Sequence, residues 1–176
     1  RKNILIADVI DVPLVLGCTI QKNNEDKTIS YQVFKCSSCE LIFTNANLDE
    51  IAYASIHSEA VGNIWKEHHK KFYEFILQEN NFKDVLEIGP SNNPIMRVHT
   101  TFLDMMEKPP FQLKGDEKYI RTRFPETKLT EKYDMIVASH VFEHSINPKK
   151  FLEKCRDILK ENGKIFLKQV VNFIGR

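Results

Sequence analysis

The segment between residues 134 and 170 constrains the fold more than any other part of the chain. It reads DMIVASH, then a polar turn with Asn147 and Pro148, then an apolar stripe, and finally KIFLKQV after Gly163. Asparagine is a favoured N-cap, proline suits the first helical position, and glycine often ends a helix. The stripe comprises Phe151, Leu152, Cys155, Ile158 and Leu159. A strand, a helix and a second strand in this order predict a parallel pair with a right-handed crossover, the unit of a doubly wound α/β sheet.

Further elements are predicted upstream of this unit. VLEI (85–88) and HTTFLDM (99–105) are apolar runs of strand length, and an amphipathic helix is predicted over 62–81. The stripe of that helix is predicted to comprise Ile64, His68, Phe72, Phe75, Ile76 and Glu79, with Trp65 and Tyr73 on its flank.

The spacing between the predicted strands is short for helical crossovers. Only eleven residues separate Ile88 from Thr100, and a strand and two helices would have to fit into the 29 residues between Asp104 and Asp134. We therefore expect further loop segments and a C-terminal part that this string does not contain.

Composition divides the chain into regions and excludes several classes of protein. The balance of 25 basic and 24 acidic residues argues against a polyanion binder that relies on bulk charge, and therefore against nucleic acid as a partner. The early run ILIADVIDVPLVLG contains Asp8 and Asp11, which argues against a membrane span and a secretory signal and favours a cytoplasmic protein. We predict a small β-rich domain over 1–55, a linking helix over 56–81 and a sheet domain over 82–176.

Polar residues follow the predicted strands at the edge where open α/β sheets bind ligands. Gly89 comes directly after VLEI and lets backbone N–H groups approach a ligand, and Glu87 lies inside that apolar strand. A buried carboxylate requires a partner, for which a cationic or hydroxyl-bearing ligand is the favoured explanation. Asp104 ends the next strand, where it can accept two ribose hydroxyl hydrogen bonds or merely cap a helix. The dinucleotide fingerprint GxGxxG is absent, which disfavours a nucleotide-dependent oxidoreductase.

Three segments resemble class I S-adenosylmethionine-dependent methyltransferases: VLEIGPSNNP, FLDM and YDMIVASHVFEHSINPKKFLEKCRDILKENGKIFL. The resemblance covers residues 83 to 170, and SHVFEH is its most specific part. It implies a Rossmann-like doubly wound sheet and S-adenosyl-L-methionine as cofactor. That cofactor carries an ammonium, a carboxylate, a sulfonium and a ribose diol but no phosphate, so one glycine and two carboxylates suit it better than a phosphate loop would.

The resemblance also implies a set of cofactor-binding residues. Glu87 and Gly89 would line the methionine portion of the cofactor, and Asp104 would hold the ribose. Ser139 and His140 would lie beside the methyl sulfonium. The full implied set is Glu87, Gly89, Pro90, Ser91, Asp104, Met105, Ser139 and His140. The second glycine that the family usually has after Gly89 is replaced here by Ser91.

Candidate catalytic residues lie in the loop after the strand DMIVASH. If the following helix begins only at Pro148, His140, Glu143 and His144 all lie over the cofactor pocket. A neutral imidazole suits proton abstraction near pH 7, so His140 is a candidate general base. The alternative is that His140 and Glu143 only orient the loop or pack against the cofactor.

The tetrapeptide Cys36-Ser-Ser-Cys39 lies between two β-rich runs, as in half of a zinc ribbon. Cys18 is correctly placed for a third ligand, but Gln21 occupies the position of its C-x-x-C partner, and His57 or a water would have to complete the set. PLVLGC and YQVFKCSSCELIFT resemble the small zinc-binding domain that precedes the catalytic domain of sugar C- and O-methyltransferases. Packing alone, without metal, is the alternative for these hairpins.

The sequence therefore predicts a methyltransferase that acts on a small molecule, with a sugar or nucleotide-linked sugar as the favoured substrate. The alternative is a zinc-finger-type binding module joined to a catalytically inactive methyltransferase-like domain. A nucleic-acid-binding finger would concentrate basic residues around its cysteines. Here Lys22, Lys27 and Lys35 are offset by Glu25, Asp26 and Glu40, so this alternative ranks second.

Overall fold

The computed structural model of the chain describes residues 3–13, 28–46, 62–79, 82–90, 92–145 and 147–168. The chain divides into two compact units, Arg1–Ser58 and Glu59–Arg176, and each is described by itself. No helix within these described ranges is long and apolar enough to cross a bilayer.

The first unit contains a three-stranded antiparallel sheet in the order β1-β2-β3. Its strands are β1 (Asn3–Pro13), β2 (Thr28–Cys36) and β3 (Ile42–Thr44). The predicted strands ISYQVFKC and ELIFT are confirmed as β2 and β3, whereas the predicted strand LVLG lies outside the described residues. Phe34 pairs with Phe43 across this hairpin, and their rings stack with centroids 5.7 Å apart. Aromatic cross-strand pairs of this kind stabilise an antiparallel sheet.

The second unit contains a five-stranded parallel sheet in the order β6-β5-β4-β7-β8. Its strands are β4 (Val85–Ile88), β5 (Thr100–Asp104), β6 (Lys118–Arg121), β7 (Tyr133–Ser139) and β8 (Leu159–Lys168). The strand order reverses between β4 and β7, and ligands of open α/β sheets bind at the carboxyl ends of the strands beside such a reversal. The predicted Rossmann-like parallel sheet is therefore confirmed.

Two helices cover opposite faces of this sheet. α1 (Asn63–Ile76) buries Phe72 and Ile76 in one core with Val85, Met135 and Val137. α2 (Pro148–Ile158) buries Phe151, Cys155 and Ile158 in the other core, which also contains Leu86, Ile88, Ile136 and Ala138. Successive residues of β4 and β7 point to opposite faces, so each strand contributes to both cores.

The predicted start of α2 is confirmed. The side chain of Asn147 accepts the backbone N–H of Lys150 at 2.9 Å, and Pro148 occupies the first turn. The end differs from the prediction, because Leu159 already belongs to β8 and Gly163 lies within that strand. The pairing with β7 shifts its register between Leu159 and Lys164, so the residues around Gly163 form an irregularity in the strand rather than a separate turn. Leu152 is 43% exposed and is not part of the buried stripe.

The predicted face of α1 is also partly wrong. Ile64 is 86% exposed and Phe75 is 54% exposed, while Trp65 and Tyr73 are partly buried. The face that meets the sheet is formed by Trp65, His69, Phe72, Tyr73 and Ile76. Neighbouring residues of a helix are rotated by about 100° from each other, so Ile64 and Trp65 lie on different faces. Here the large rings of Trp65 and Tyr73 contact the sheet, and Ile64 does not.

Residues 105–132 contain β6 and irregular loops, so the two helices for which this spacing is too short are not formed there. Pro109, Pro110 and Pro125 interrupt the short segments on either side of β6, and proline disfavours helix interiors. The described residues between Ile88 and Thr100 contain no helix either, as the short spacing there requires.

Candidate functional site

Gly89 forms the turn at the carboxyl end of β4. Its φ is +65°, a conformation that glycine adopts without strain. A Cβ atom at this position would lie 2.6 Å from Cγ2 of Val141, so the segment after β7 packs directly against the glycine. The Gly89 N–H donates to the carbonyl of Leu103 at 2.8 Å. Position 89 therefore brings the ends of β4, β5 and β7 together.

The carboxyl group of Glu87 holds the loop that follows this turn. The side chain is 2% exposed, and its oxygens accept the backbone N–H groups of Ile95 and Met96, each at 2.8 Å. Burial raises the pKa of Glu87 to about 8, although these N–H groups and Arg97 oppose the shift. The buried carboxyl thus has its partners in the chain itself. Of the residues predicted beside it, Pro90 is buried, and Ser91 lies outside the described residues.

An ion pair between Arg97 and Glu117 also stabilises this loop. The Arg97 Nε lies 3.0 Å from the Glu117 Oε1, and the side chain of Glu117 is fully buried. The other Glu117 oxygen accepts the Lys114 N–H at 2.7 Å, and Arg97 donates to the carbonyl of Gln112 at 2.8 Å. The loop after β4 is therefore fastened to the loop after β5. The sequence contains no local pattern that could have revealed this pair.

Asp104 lies at the end of β5, and one of its carboxylate oxygens accepts hydrogen bonds from the backbone. The Oδ1 atom accepts the N–H groups of Met105 at 2.6 Å and Met106 at 3.2 Å. Every hydrogen bond that Asp104 accepts through its side chain, among the described residues, goes to Oδ1. The side chain is thereby fixed while Oδ2 stays available to a ligand. The hydroxyl of Tyr119 donates to the Met106 carbonyl. Burial and the nearby Asp104 carboxylate raise the pKa of Tyr119 to about 12.

Ser139 and His140 end β7 on the other side of Gly89. The Ser139 Oγ is buried and forms no hydrogen bond within the described part of the chain. His140 has a φ of +56°, and its N–H donates to the carbonyl of Lys168 at 2.8 Å. A buried hydroxyl without a partner carries a cost of about 1–3 kcal/mol. The positive φ turns the chain sharply, so that the residues after it lie over the sheet edge.

The side chain of His140 contacts groups from two further elements. Its Nδ1 lies 3.4 Å from the Oε1 of Glu143, and its Nε2 lies 3.4 Å from the Nε2 of His68 on α1. The ring of Trp65 packs edge-on against it, with centroids 4.9 Å apart. His144 lies at the exposed end of a single 3-10 turn, Phe142–His144. Of the three predicted catalytic residues, the structure brings His140 and Glu143 together and leaves His144 apart.

Sequence reasoning missed the contribution of α1 and Lys168 to this edge. The Lys168 ammonium donates to the His68 carbonyl at 2.8 Å and lies 4.9 Å from the centroid of the Phe72 ring. Burial lowers the pKa of Lys168. The pKa values of His68 and His69 are lowered by burial and by the charge of Lys168. The available signal was the W-x-x-H-H pattern of Trp65, His68 and His69 in an amphipathic helix, which places several polar rings on one side of α1.

The cysteine turn lies in the first unit. The Cys36 N–H donates to the Leu41 carbonyl, and the Glu40 N–H donates to the Cys36 carbonyl. Cys36 is buried and Cys39 is exposed. The described residues contain no group of three or more side chains arranged to hold a metal ion. The predicted third ligand, Cys18, lies outside those residues, as does His57.

Solved structures with the same sheet support the assignment of the fold. The N-methyltransferase NodS from Bradyrhizobium japonicum WM9, in complex with S-adenosyl-L-homocysteine, aligns with a TM-score of 0.54 at 15% identity. The alignment covers 61% of this chain and 63% of that chain. A second NodS structure aligns with a TM-score of 0.51 at 14% identity and covers 58% of this chain and 66% of that one. At this identity the likeness concerns the fold alone.

Comparisons of the sequence itself also match methyltransferases. The ubiquinone biosynthesis O-methyltransferase of Glaesserella parasuis serovar 5 is 39% identical over 41 residues, which are 23% of this chain and 17% of that protein. The chain thus matches only a small part of that relative and less than two thirds of the NodS chain in its first alignment. Residues 60–173, which include α1 and the whole parallel sheet, match the family described as methyltransferase domain. The chain belongs to this methyltransferase domain family.

Proposed function

We propose that the chain is an S-adenosylmethionine-dependent methyltransferase that acts on a small molecule. The observation that carries the proposal is the Ser139 Oγ, which is buried at the carboxyl end of β7 beside the reversal of strand order and has no hydrogen-bond partner in the part of the chain that the structure describes. A buried hydroxyl at this position gains a hydrogen bond when a polar ligand arrives. The family of residues 60–173 supports the same reading. A purely binding role with an inactive domain has no comparable support.

The polar groups at this edge fit the cofactor. The open Oδ2 of Asp104 suits a ribose hydroxyl, and the orphaned Ser139 Oγ suits the ammonium or carboxylate of the methionine portion. Gly89 keeps the turn between them free of a side chain. Glu87 would act indirectly, because its carboxyl group accepts the N–H groups of Ile95 and Met96 and so positions the loop after β4. When bound, the cofactor supplies an electrophilic methyl group.

The residues of this chain would align the acceptor and receive its proton. Methyl transfer requires the attacking atom to lie in line with the methyl group, so positioning provides much of the rate enhancement. His140 lies between the cofactor edge and α1, with Glu143 beside its Nδ1. That arrangement places the imidazole of His140 within reach of a proton released by the O–H or N–H of an acceptor.

A sugar or nucleotide-linked sugar is the acceptor class that we propose. Trp65 is partly buried beside His140 and provides an apolar ring among polar neighbours. A flat aromatic surface bordered by hydrogen-bonding groups suits the mixed polar and apolar surface of a pyranose. The resemblance of the N-terminal cysteine region to that of sugar methyltransferases supports the same class.

Two binding measurements test the proposal. Calorimetric titration with S-adenosylhomocysteine should give a saturable one-to-one isotherm, and NAD should give none. A panel of nucleotide-linked sugars incubated with the labelled cofactor should then yield a methylated product. Failure to bind S-adenosylhomocysteine at millimolar concentration would overturn the proposed activity, whereas binding with methylation only of other small molecules would overturn the sugar assignment.

We further propose that the cysteine turn binds zinc, with Cys36 and Cys39 as two ligands and Cys18 as a third. Two thiols three positions apart on a hairpin turn are the usual half-site of a zinc ribbon. Cys36→Ser should lower the zinc content of protein purified without chelator, whereas Cys155→Ser, which changes a thiol in the core of the second unit, should retain it. Wild-type protein without zinc would contradict the proposal.

A further inference from the structure

A pair of histidine rings, His68 and His140, lies beside the proposed cofactor edge. The Nε2 atoms of His68 and His140 are 3.4 Å apart, and the ring centroids are 5.7 Å apart. The pair joins the middle of α1 to the carboxyl end of β7, two segments 72 positions apart in sequence. Two nitrogens can share a hydrogen bond only if one of them carries a proton and the other does not.

The surroundings of His140 determine the direction of this bond. The carboxylate oxygen of Glu143, 3.4 Å from the Nδ1 of His140, favours a proton on that nitrogen. The Nε2 of His140 then has a lone pair and accepts the Nε2–H of His68. His68 is left with a lone pair on its Nδ1, and its residue is exposed, so this nitrogen is accessible to an incoming molecule.

The charges around His68 favour its neutral form. Lys168 from β8 donates to the His68 carbonyl, and His69 and His140 face it from α1 and β7. Burial, Lys168 and His140 lower the pKa of His68, in that order of importance. Two imidazolium rings at this separation would repel each other, so the pair holds one extra proton more readily than two.

We propose that His68 is the base that takes the acceptor's proton in a two-histidine relay that passes a proton on to His140, and this inference rests on the proposed methyl transfer. The acceptor's O–H or N–H bond breaks, its electron pair stays on the acceptor atom, and the proton bonds to the Nδ1 of His68. A second proton, the one that His68 carried on its Nε2, moves at the same time: its N–H bond to His68 breaks and it bonds to the Nε2 of His140. His68 ends neutral, and the positive charge resides on His140, where Glu143 stabilises it.

The first experiment needs neither cofactor nor acceptor. In protein with ¹⁵N-labelled histidine, NMR titration should show His140 protonated on Nδ1 and His68 protonated on Nε2 at neutral pH. Because asparagine tolerates the positive φ of residue 140, His140→Asn is the variant chosen to remove the ring. The pKa of His68 should rise in that variant. An unchanged His68 titration, or the opposite tautomers, would overturn the relay.

The second experiment measures catalysis with the matched variants His68→Gln and His99→Gln. His99 lies just before β5 at the opposite edge of the sheet, paired with Asp116. His68→Gln should lower kcat about 10²–10⁴-fold and abolish the limb of the pH–rate profile near neutrality, with little change in cofactor affinity. His99→Gln should leave these quantities as in the wild type. If the wild type is active and His68→Gln keeps its kcat, the relay alone is wrong. If the wild type transfers no methyl group while the NMR coupling is present, the proposed function is what fails.

Discussion

The two edges of the parallel sheet both carry ionisable side chains, but they use them differently. The amino edge encloses a cavity of about 470 Å³ lined largely by charged residues. Within the described chain, its charged groups are largely paired with one another. These pairs are Lys160 with Asp84 and Asp134, Lys118 with Glu131, and His99 with Asp116.

The carboxyl edge shows the opposite arrangement. Among the described residues, its buried Ser139 hydroxyl and the Oδ2 atom of Asp104 have no hydrogen-bond partner, and His68 and His140 meet through their ring nitrogens. Exposed paired charges gain little from a ligand, whereas an unsatisfied buried group recovers about 1–3 kcal/mol when one binds. This difference in unmet hydrogen-bonding capacity is what favours the carboxyl edge as the proposed ligand site, despite the charged cavity at the amino edge.

The largest expected difference between the edges is in turnover. His140→Asn should lower kcat about 10²–10⁴-fold, because it removes the ring that links His68 to Glu143. The backbone should tolerate the change, since asparagine adopts positive φ. His99→Asn is the amino-edge counterpart and should keep wild-type turnover. Steady-state kinetics at saturating cofactor distinguish the two, and equal losses in both variants would remove the distinction between the edges.

The second difference concerns how stability depends on pH. Burial raises the folded-state pKa of Glu87 to about 8. Between the ordinary glutamate pKa and this value, the folded protein keeps a proton that the unfolded chain has released. The free energy of unfolding should therefore fall by about 3 kcal/mol between about pH 5 and 7.5 and level off above the folded pKa. Glu87→Gln should remove that fall because an amide does not titrate, and an amide oxygen in the place of Oε2 can still accept the Ile95 and Met96 N–H groups. Denaturant titrations at several pH values provide the measurement, and an equal slope in the variant would contradict this role.

Much of the carboxyl edge could be predicted because local signals mark it. β4, β5 and β7 are apolar runs bounded by polar turns, and parallel strands bring their carboxyl ends to one edge. That rule alone places Gly89, Asp104 and Ser139 near one another. The cap formed by Asn147 and Pro148 followed from local preferences in the same way.

The remainder depends on contacts between distant segments, which no local pattern encodes. His68 was placed on the predicted stripe of α1, but its partner His140 lies 72 positions away. The face of α1 was misjudged because the spacing of Ile64 fits a stripe, while the rings of Trp65 and Tyr73 fill more of the space against the sheet. β6 is a four-residue edge strand with exposed ends, so it lacks the apolar run that revealed the central strands.

A smaller but specific effect is expected on cofactor affinity. Asp104→Ala should weaken binding of S-adenosylhomocysteine by about 1–3 kcal/mol, because it leaves a ribose hydroxyl of the ligand unpaired. Asp84→Ala removes a carboxylate at the amino edge, where the side chain pairs with Lys160. That variant should bind the ligand as the wild type does. Calorimetry on both proteins tests the assignment, and equal weakening in the two would indicate a general loss of structure instead.

The smallest effect is expected from Lys160 at the amino edge. Hydrogen bonds with Asp84 and Asp134 raise the pKa of its ammonium. These interactions of Lys160 therefore stabilise the fold fully below the usual lysine pKa, and their contribution is lost as pH rises through the higher pKa of the folded state. The contribution should consequently be constant across the neutral range, in contrast to that of Glu87. Lys160→Met should lower the thermal midpoint only slightly, and less in high salt, because exposed ion pairs are screened. Its affinity for S-adenosylhomocysteine should match that of the wild type. A marked loss of ligand affinity in Lys160→Met would mean that the amino-edge cavity belongs to the binding site after all, and the contrast between the two edges would have to be abandoned.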